Sequence, residues 1–208
     1  IAVDHTNGIR VLDLNQGRLL QEIVWQNLWS DGAEGPRSRV KQIAWSATGN
    51  SLAIVVAEPA AASRSYSVHI FRSDDGWSTY HSVGRHTVTG ISDVSLIDDG
   101  RTLVVGVLVG NDAWKREIQR IDSATGVSET LAAMQDDHVF AVSRDERWLA
   151  VGADVGVRLI DMDNDEGRYQ LNTSLPHSLQ FSDDDRILLV RLADGSMHAW
   201  HLPTRTYL

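Results

Sequence analysis

The chain has 208 residues, of which 42% are hydrophobic and 23% charged, so it is long enough to bury a substantial core. Its formal net charge of −9 argues against nucleic acid as a partner, because phosphate backbones favour clustered lysine and arginine. The sequence contains no cysteine, which excludes disulfides, thiolate catalysis and cysteine-ligated zinc.

Four segments along the chain share one pattern. Each reads as an apolar strand, a polar turn rich in Asp, Gly, Asn or Ser, and a second apolar strand, and therefore predicts a β-hairpin. In chain order they are IAWSATGNSLAIV (43–55), VSLIDDGRTLVVG (94–106), FAVSRDERWLAVG (140–152) and LQFSDDDRILLVR (179–191).

A second kind of segment precedes the first hairpin and follows each of the four. It has a strand with period-2 alternation, a polar turn usually ending in Gly, and a short final strand. These segments are GIRVLDLNQGRLL (8–20), SVHIFRSDDGWSTY (67–80), EIQRIDSATGVSET (117–130), GVRLIDMDNDEGRYQL (156–171) and SMHAWHLPTRTYL (196–208).

The hairpins recur at an interval that identifies an architecture. The equivalent positions Trp45, Leu96, Val142 and Phe181 lie 51, 46 and 39 residues apart. A unit of about 40 residues with four antiparallel strands is typical of a β-propeller blade, and the longer intervals indicate inserted loops.

The run DMDNDEG (161–167) has Asp at alternate positions, like the start of a calcium loop. An EF-hand-type loop needs Gly at its sixth position and Glu at its twelfth, where this sequence has Glu166 and Asn172. Asp161 aligns instead with Asp122 of DSATG. The alignment predicts a hairpin turn, and we expect no metal and no cofactor.

The repeats resemble those of the WD-repeat propellers over nearly the whole chain, in divergent form. No Gly-His dipeptide opens any unit, and Phe71-Arg72 stands where the second unit would carry the family's Trp-Asp pair. A prolyl-oligopeptidase-type propeller without its catalytic domain is the alternative family. The matching residues are Leu12-Asp13, Ile121-Asp122, Ile160-Asp161, Trp200-His201 and ADG (193–195).

We therefore predict an all-β chain that forms a single β-propeller segment of four-stranded antiparallel blades, with about four to five blades present. The strand count predicts an incomplete ring or part of a larger propeller, completed by remaining blades or by another chain. A self-closed five-bladed ring is a further alternative. The predicted units are a partial blade at 1–25, blades at 40–83, 88–133 and 138–173, and a blade truncated at its outer strand at 177–208.

Antiparallel topology predicts that the long connections emerge on one face. If the strands of a blade are a to d, the d-to-a connection 26–39 and the b-to-c connections 57–65 and 110–116 leave that face. Loops longer than a hairpin needs are often functional, and aromatic and arginine side chains are common interface anchors. The alternative for each loop Trp is a local lid. The candidate partner-binding residues are Trp29, Arg37, Arg39, Arg64, Trp114, Lys115 and Arg116.

Sequence motifs of common enzyme classes are absent. The chain has no G-x-S-x-G, no G-x-G-x-x-G, no phosphate-binding G-x-x-x-x-G-K-[ST] and no H-E-x-x-H. We favour a non-catalytic protein–protein interaction scaffold or sensor domain of a larger multidomain protein. The alternative is a propeller hydrolase, or a propeller that binds a small ligand or metal through polar residues in its central channel.

No apolar run approaches the roughly 18 to 20 residues that span a bilayer, so the sequence predicts a soluble chain with no membrane span. The composition suits cytosol and periplasm alike, and we favour the cytoplasm.

Overall fold

The computed structural model describes residues 2–5, 8–24, 40–58, 65–110, 115–135, 139–164 and 167–208. Over these ranges the regular structure is β-strand, apart from a 3-10 turn at Asp98–Gly100. The strands are β1 (Ala2–His5), β2 (Gly8–Asp13), β3 (Arg18–Val24), β4 (Val40–Trp45), β5 (Ser51–Ala57), β6 (Ser65–Arg72), β7 (His81–Thr89), β8 (Val94–Ile97), β9 (Thr102–Leu108), β10 (Lys115–Asp122), β11 (Ser128–Gln135), β12 (Phe140–Val142), β13 (Trp148–Ala153), β14 (Gly156–Asp161), β15 (Arg168–Leu171), β16 (Pro176–Phe181), β17 (Ile187–Leu192), β18 (Met197–His201) and β19 (Thr206–Tyr207).

The strands form five antiparallel sheets, in each of which a strand is hydrogen-bonded to its neighbours along the chain. The first sheet has three strands, β1 to β3. The other four have four strands each, namely β4 to β7, β8 to β11, β12 to β15 and β16 to β19. The predicted all-β class built from four-stranded antiparallel units is thereby confirmed. The part of the chain described here holds no helix long and apolar enough to cross a membrane.

The chain divides into two compact units, Ile1–Val104 with Arg120–Glu129 and Val105–Gln119 with Thr130–Leu208. In the first unit, Ile9 and Ile23 belong to one apolar cluster with Leu52, Ile54 and Val56 of β5. Trp45 packs against this cluster. The period-2 pattern of each strand thus supplies one wall of a core between successive sheets.

The second unit has a core of the same kind. Ala150 of β13 and Leu159 of β14 cluster with Leu188 and Val190 of β17. Trp148 and Trp200 pack against this cluster.

The turn between β6 and β7 is wider than its sequence predicts. The pattern SVHIFRSDDGWSTY predicts a strand directly after Asp-Asp-Gly, but residues 73–80 form the turn and β7 begins at His81. Trp77 lies in this turn at φ 70° and is 4% exposed. Its indole Nε1 donates to the Gly49 carbonyl at 2.8 Å, and its ring packs edge-to-face on Trp45. Burial of a large aromatic side chain thus outweighs the extended preference of the segment.

Candidate interaction surface

The turns between the first and second strands of the sheets are closed by their own side chains. The Ser143 hydroxyl oxygen accepts a hydrogen bond from the Trp148 amide at 2.8 Å, and that of Ser182 accepts from the Ile187 amide at 3.0 Å. Ser46 makes the same bond in the second sheet. Such bonds let serine stabilise a turn locally, so these three turns are held by hydrogen bonds within a few residues.

One position shared by these turns adopts a left-handed backbone conformation, which favours Gly and tolerates Asp, and in the third sheet Asp98 and Asp99 before it are left-handed as well. In the last of the turns, the Asp185 carboxylate also accepts hydrogen bonds from the amides of Arg144 and Asp145, each at 2.7 Å. The turn of the fifth sheet therefore caps that of the fourth. The residues at the left-handed position are Gly49 at φ 76°, Gly100 at 85°, Glu146 at 62° and Asp185 at 55°.

The run DMDNDEG includes the turn between β14 and β15, as the alignment predicts. Oδ2 of Asp161 accepts from Nε of Arg147 at 3.1 Å and from Nη2 at 2.8 Å, and Oδ1 accepts from the Asp163 amide at 3.1 Å. The Arg147 guanidinium lowers the pKa of Asp161 below its usual value. Both carboxylate oxygens of Asp161 thus accept hydrogen bonds from turn residues. Within the described ranges, no group of three or more His, Asp or Glu side chains is placed to hold a metal ion.

The long connections leave from the opposite end of the strands, because neighbouring strands are antiparallel. One joins β3 to β4, one joins β5 to β6, and one joins β9 to β10. Lys115 is exposed at the start of β10, and Arg116 beside it is half-buried. The remaining predicted partner-binding residues lie outside the described residues: Trp29, Arg37, Arg39, Arg64 and Trp114.

A polar cluster lies where the connection between β5 and β6 begins and ends. Glu58 follows β5, and its carboxylate pairs with the Arg85 guanidinium of β7 at 3.1 Å. The buried His69 lies on β6, with its Nε2 3.1 Å from the Ser67 hydroxyl. Burial, together with the nearby Arg85 charge, lowers the pKa of His69 to about 4. His69 is therefore uncharged at neutral pH.

A second polar contact in the first unit lies near the starts of β4 and β8. The Gln42 side-chain amide on β4 donates to Asp93, which also accepts from the Val94 amide at 2.8 Å. Burial raises the pKa of Asp93 above its usual value. The contact anchors the segment that enters β8 against the second sheet.

The sequence carried a signal for one of these contacts. Ser67 and His69 alternate with Val68 and Ile70, so period-2 geometry places both polar side chains on one face of β6. The partners Gln42 and Asp93, by contrast, lie 51 residues apart, one on β4 and the other just before β8. No local pattern could pair them.

No protein-family profile matches this sequence, and no curated protein matches it. Solved structures do match in three dimensions. The β-propeller domain of Cps50 (Swd1) from Myceliophteria thermophila superposes with a TM-score of 0.64, at 14% identity over 96% of this chain. TolB from Acinetobacter baumannii gives 0.60 at 13% identity over 99%, and hydrazine synthase from Kuenenia stuttgartiensis gives 0.63 at 15% over 94%. This chain has a β-propeller fold.

The five sheets are accordingly propeller blades. The chain spans 61% of the Cps50 domain, 66% of TolB and 65% of hydrazine synthase, less than two thirds of each. At these identities the likeness establishes the fold alone, because one propeller architecture carries many unrelated activities. The WD-repeat affiliation stays a prediction.

Proposed function

We propose that this propeller is a non-catalytic protein-interaction module, a WD-repeat-like scaffold or sensor domain of a larger protein. It binds a protein partner through its long connections. The observation that supports this most directly is the contrast between the connections at the two ends of the strands. Apart from the turn 73–80, the turns at one end are short and are closed by their own hydrogen bonds, and the other end carries the connections 25–39, 58–64 and 109–114.

Other connections at the same end of the strands are short, which shows that the extra length is not needed for closure. Residues 154–155 suffice to join β13 to β14, so the fold itself does not require the longer links. Length beyond what closure needs is typical of loops that carry binding residues on a rigid scaffold.

The ends of one long connection are also firmly held. The Glu58 amide donates to the Ser65 carbonyl at 3.0 Å, and the Glu58 carboxylate pairs with Arg85. A loop with fixed ends loses less conformational freedom on binding than one with loose ends, which favours affinity. This arrangement supports a binding role for the residues between them, Arg64 included.

We propose that two tryptophans anchor the partner and that basic side chains surround them. Aromatic and arginine side chains desolvate a large area while making directed contacts, and they dominate interface energetics. The proposed anchors are Trp29 and Trp114, with Arg37, Arg39, Arg64, Lys115 and Arg116 around them.

The test is a direct affinity measurement. A partner is identified by chemical cross-linking in the native cell and purified, and its Kd is measured by titration calorimetry. Trp29→Ala combined with Trp114→Ala is expected to weaken binding by about tenfold or more, because truncated anchors leave their pockets empty.

A matched control comes from turns at the opposite end of the strands. Leu14 and Val127 are apolar turn residues, each 71% exposed, and Leu14→Ala with Val127→Ala is expected to leave the Kd unchanged. Wild-type affinity in the double Trp variant, or an equal loss in the control, would count against the long connections as the binding surface.

A further inference from the structure

A groove of about 410 Å³ lies in the second unit, bordered by the outer strands β11 and β15. Leu131 and Ala133 of β11 line one side of it, and Ile160 of β14 lines the other. The groove therefore has apolar side chains on both of its sides.

The strand on one side of the groove has an open hydrogen-bonding edge. β15 has four residues and is the last strand of its sheet, and no described strand pairs with its outer side. The Asp161 amide donates to the Gly167 carbonyl at 2.8 Å, and the register continues with Leu159 opposite Tyr169. Because hydrogen-bonded pairs alternate along antiparallel strands, the main-chain groups of Arg168 and Gln170 point away from β14.

The groove carries positive charge, although the chain as a whole is acidic. Arg158 lines it and donates from Nη2 to the Ala133 carbonyl at 2.6 Å. The buried Nε of Arg158 has no hydrogen-bond partner among the described residues. Arg168 lies exposed at the rim and forms no ion pair within the described part of the chain.

Among the described residues that line the groove there is no Asp or Glu. One acid, Glu117, lies beside the groove, where its Oε2 accepts a hydrogen bond from the Thr130 hydroxyl at 2.9 Å, and the two arginines that line the groove outnumber it. The charge of the groove therefore complements an anionic occupant.

We propose that this groove binds an extended acidic segment of a partner protein, which adds as a strand to the open edge of β15. The segment exchanges main-chain hydrogen bonds with Arg168 and Gln170. A carboxylate beside Arg168 forms an ion pair, and alternate apolar side chains pack against Leu131 and Ile160. Main-chain bonds of this kind supply affinity, and the groove-facing side chains supply specificity.

The residues that line this groove are different from the residues proposed for the long connections, so the two proposals fail independently. The probes are three capped, fluorescein-labelled decapeptides that alternate Val with Glu, with Gln or with Lys, measured by fluorescence anisotropy. The Glu peptide is expected to bind at least about tenfold more tightly than the Gln peptide, and the Lys peptide more weakly still.

Two variants, each with a matched control, test the charge and the strand edge separately. Arg168→Gln is expected to weaken binding of the Glu peptide by about five- to tenfold, whereas Arg191→Gln, at an exposed position on β17, leaves it unchanged. Gln170→Pro removes an outward N–H that an edge strand can lose, so binding is lost while the melting temperature holds. Gln170→Ala keeps this N–H and keeps binding.

Three outcomes would overturn the proposal. They are equal binding of the three peptides, unchanged binding in Arg168→Gln or Gln170→Pro, and displacement of the Glu peptide by an equal concentration of oligothymidylate, which would indicate an unselective anion site. A binding loss restricted to the Trp29 and Trp114 double variant would also contradict the assignment to this groove.

Discussion

His69 shows how a single side chain couples the stability of the propeller to pH. It is 4% exposed on β6, and burial together with Arg85 lowers its pKa from 6.5 to about 4. Between these values the unfolded chain binds a proton that the native protein does not. The stability contribution of neutral His69 is therefore complete above pH 6.5 and is lost as the pH falls toward 4, on the order of 3 kcal/mol.

Urea denaturation of the wild type and of His69→Gln at pH 7 and pH 4.5 measures this effect. Glutamine keeps a hydrogen-bonding group near Ser67 but does not titrate, so the variant is expected to lose less stability on acidification than the wild type. Its matched control is His177→Gln, at an exposed position on β16, which should retain the wild-type difference. An unaltered pH dependence in His69→Gln would contradict the assignment.

At the scale of elements, one glycine sets how closely a strand approaches the next blade in the first unit. A Cβ on Gly84 of β7 would lie 2.0 Å from the Ser123 carbonyl oxygen, in the turn after β10. The His86 Nε2 atom lies 3.0 Å from the same oxygen. Strand β7 and this turn therefore meet backbone to backbone, at a distance that only glycine permits.

Gly84→Ala is accordingly expected to lower the free energy of unfolding by about 3 kcal/mol, because strand or turn must shift to admit the methyl group. Thermal and urea unfolding measure the change. Gly17→Ala provides the comparison: φ is +62° there and nothing lies near the added Cβ, so the cost is backbone strain of about 1 kcal/mol. Equal losses in the two variants would show that the approach at Ser123 is not tightly packed.

Across the whole molecule, burial is concentrated in the second strand of several blades. Residues 52–56 of β5, 103–107 of β9 and 149–152 of β13 are buried in unbroken runs, because these strands are covered on both faces. The outer strands β15 and β19 expose many more of their side chains. Local opening should therefore begin at the outer strands.

Hydrogen exchange followed by mass spectrometry tests this gradient. Peptides covering β5, β9 and β13 are expected to exchange much more slowly than those covering β15 and β19, since slow exchange requires opening of buried sheet. Comparable protection of inner and outer strands would mean that each blade opens as one unit.

The blades could be predicted from local sequence patterns alone. Period-2 alternation and turns such as SRDER are local features, because a Ser or Asp side chain closes a turn within a few residues of its own position. The same locality identified DMDNDEG as a turn. Of the predicted partner-binding residues, Lys115 and Arg116 lie within the described ranges, and their role stays a prediction.

Which distant residues meet is apparent only in the folded structure. Trp77 leaves its predicted strand because its ring packs on Trp45 and its indole donates to the Gly49 carbonyl. Arg158 reaches the Ala133 carbonyl across 25 residues of chain, and Arg85 reaches Glu58 across 27. The first of these contacts joins two sheets and the second lies within one sheet, so they depend on sheet packing and on strand register. Side-chain periodicity along a strand specifies only which face a residue occupies.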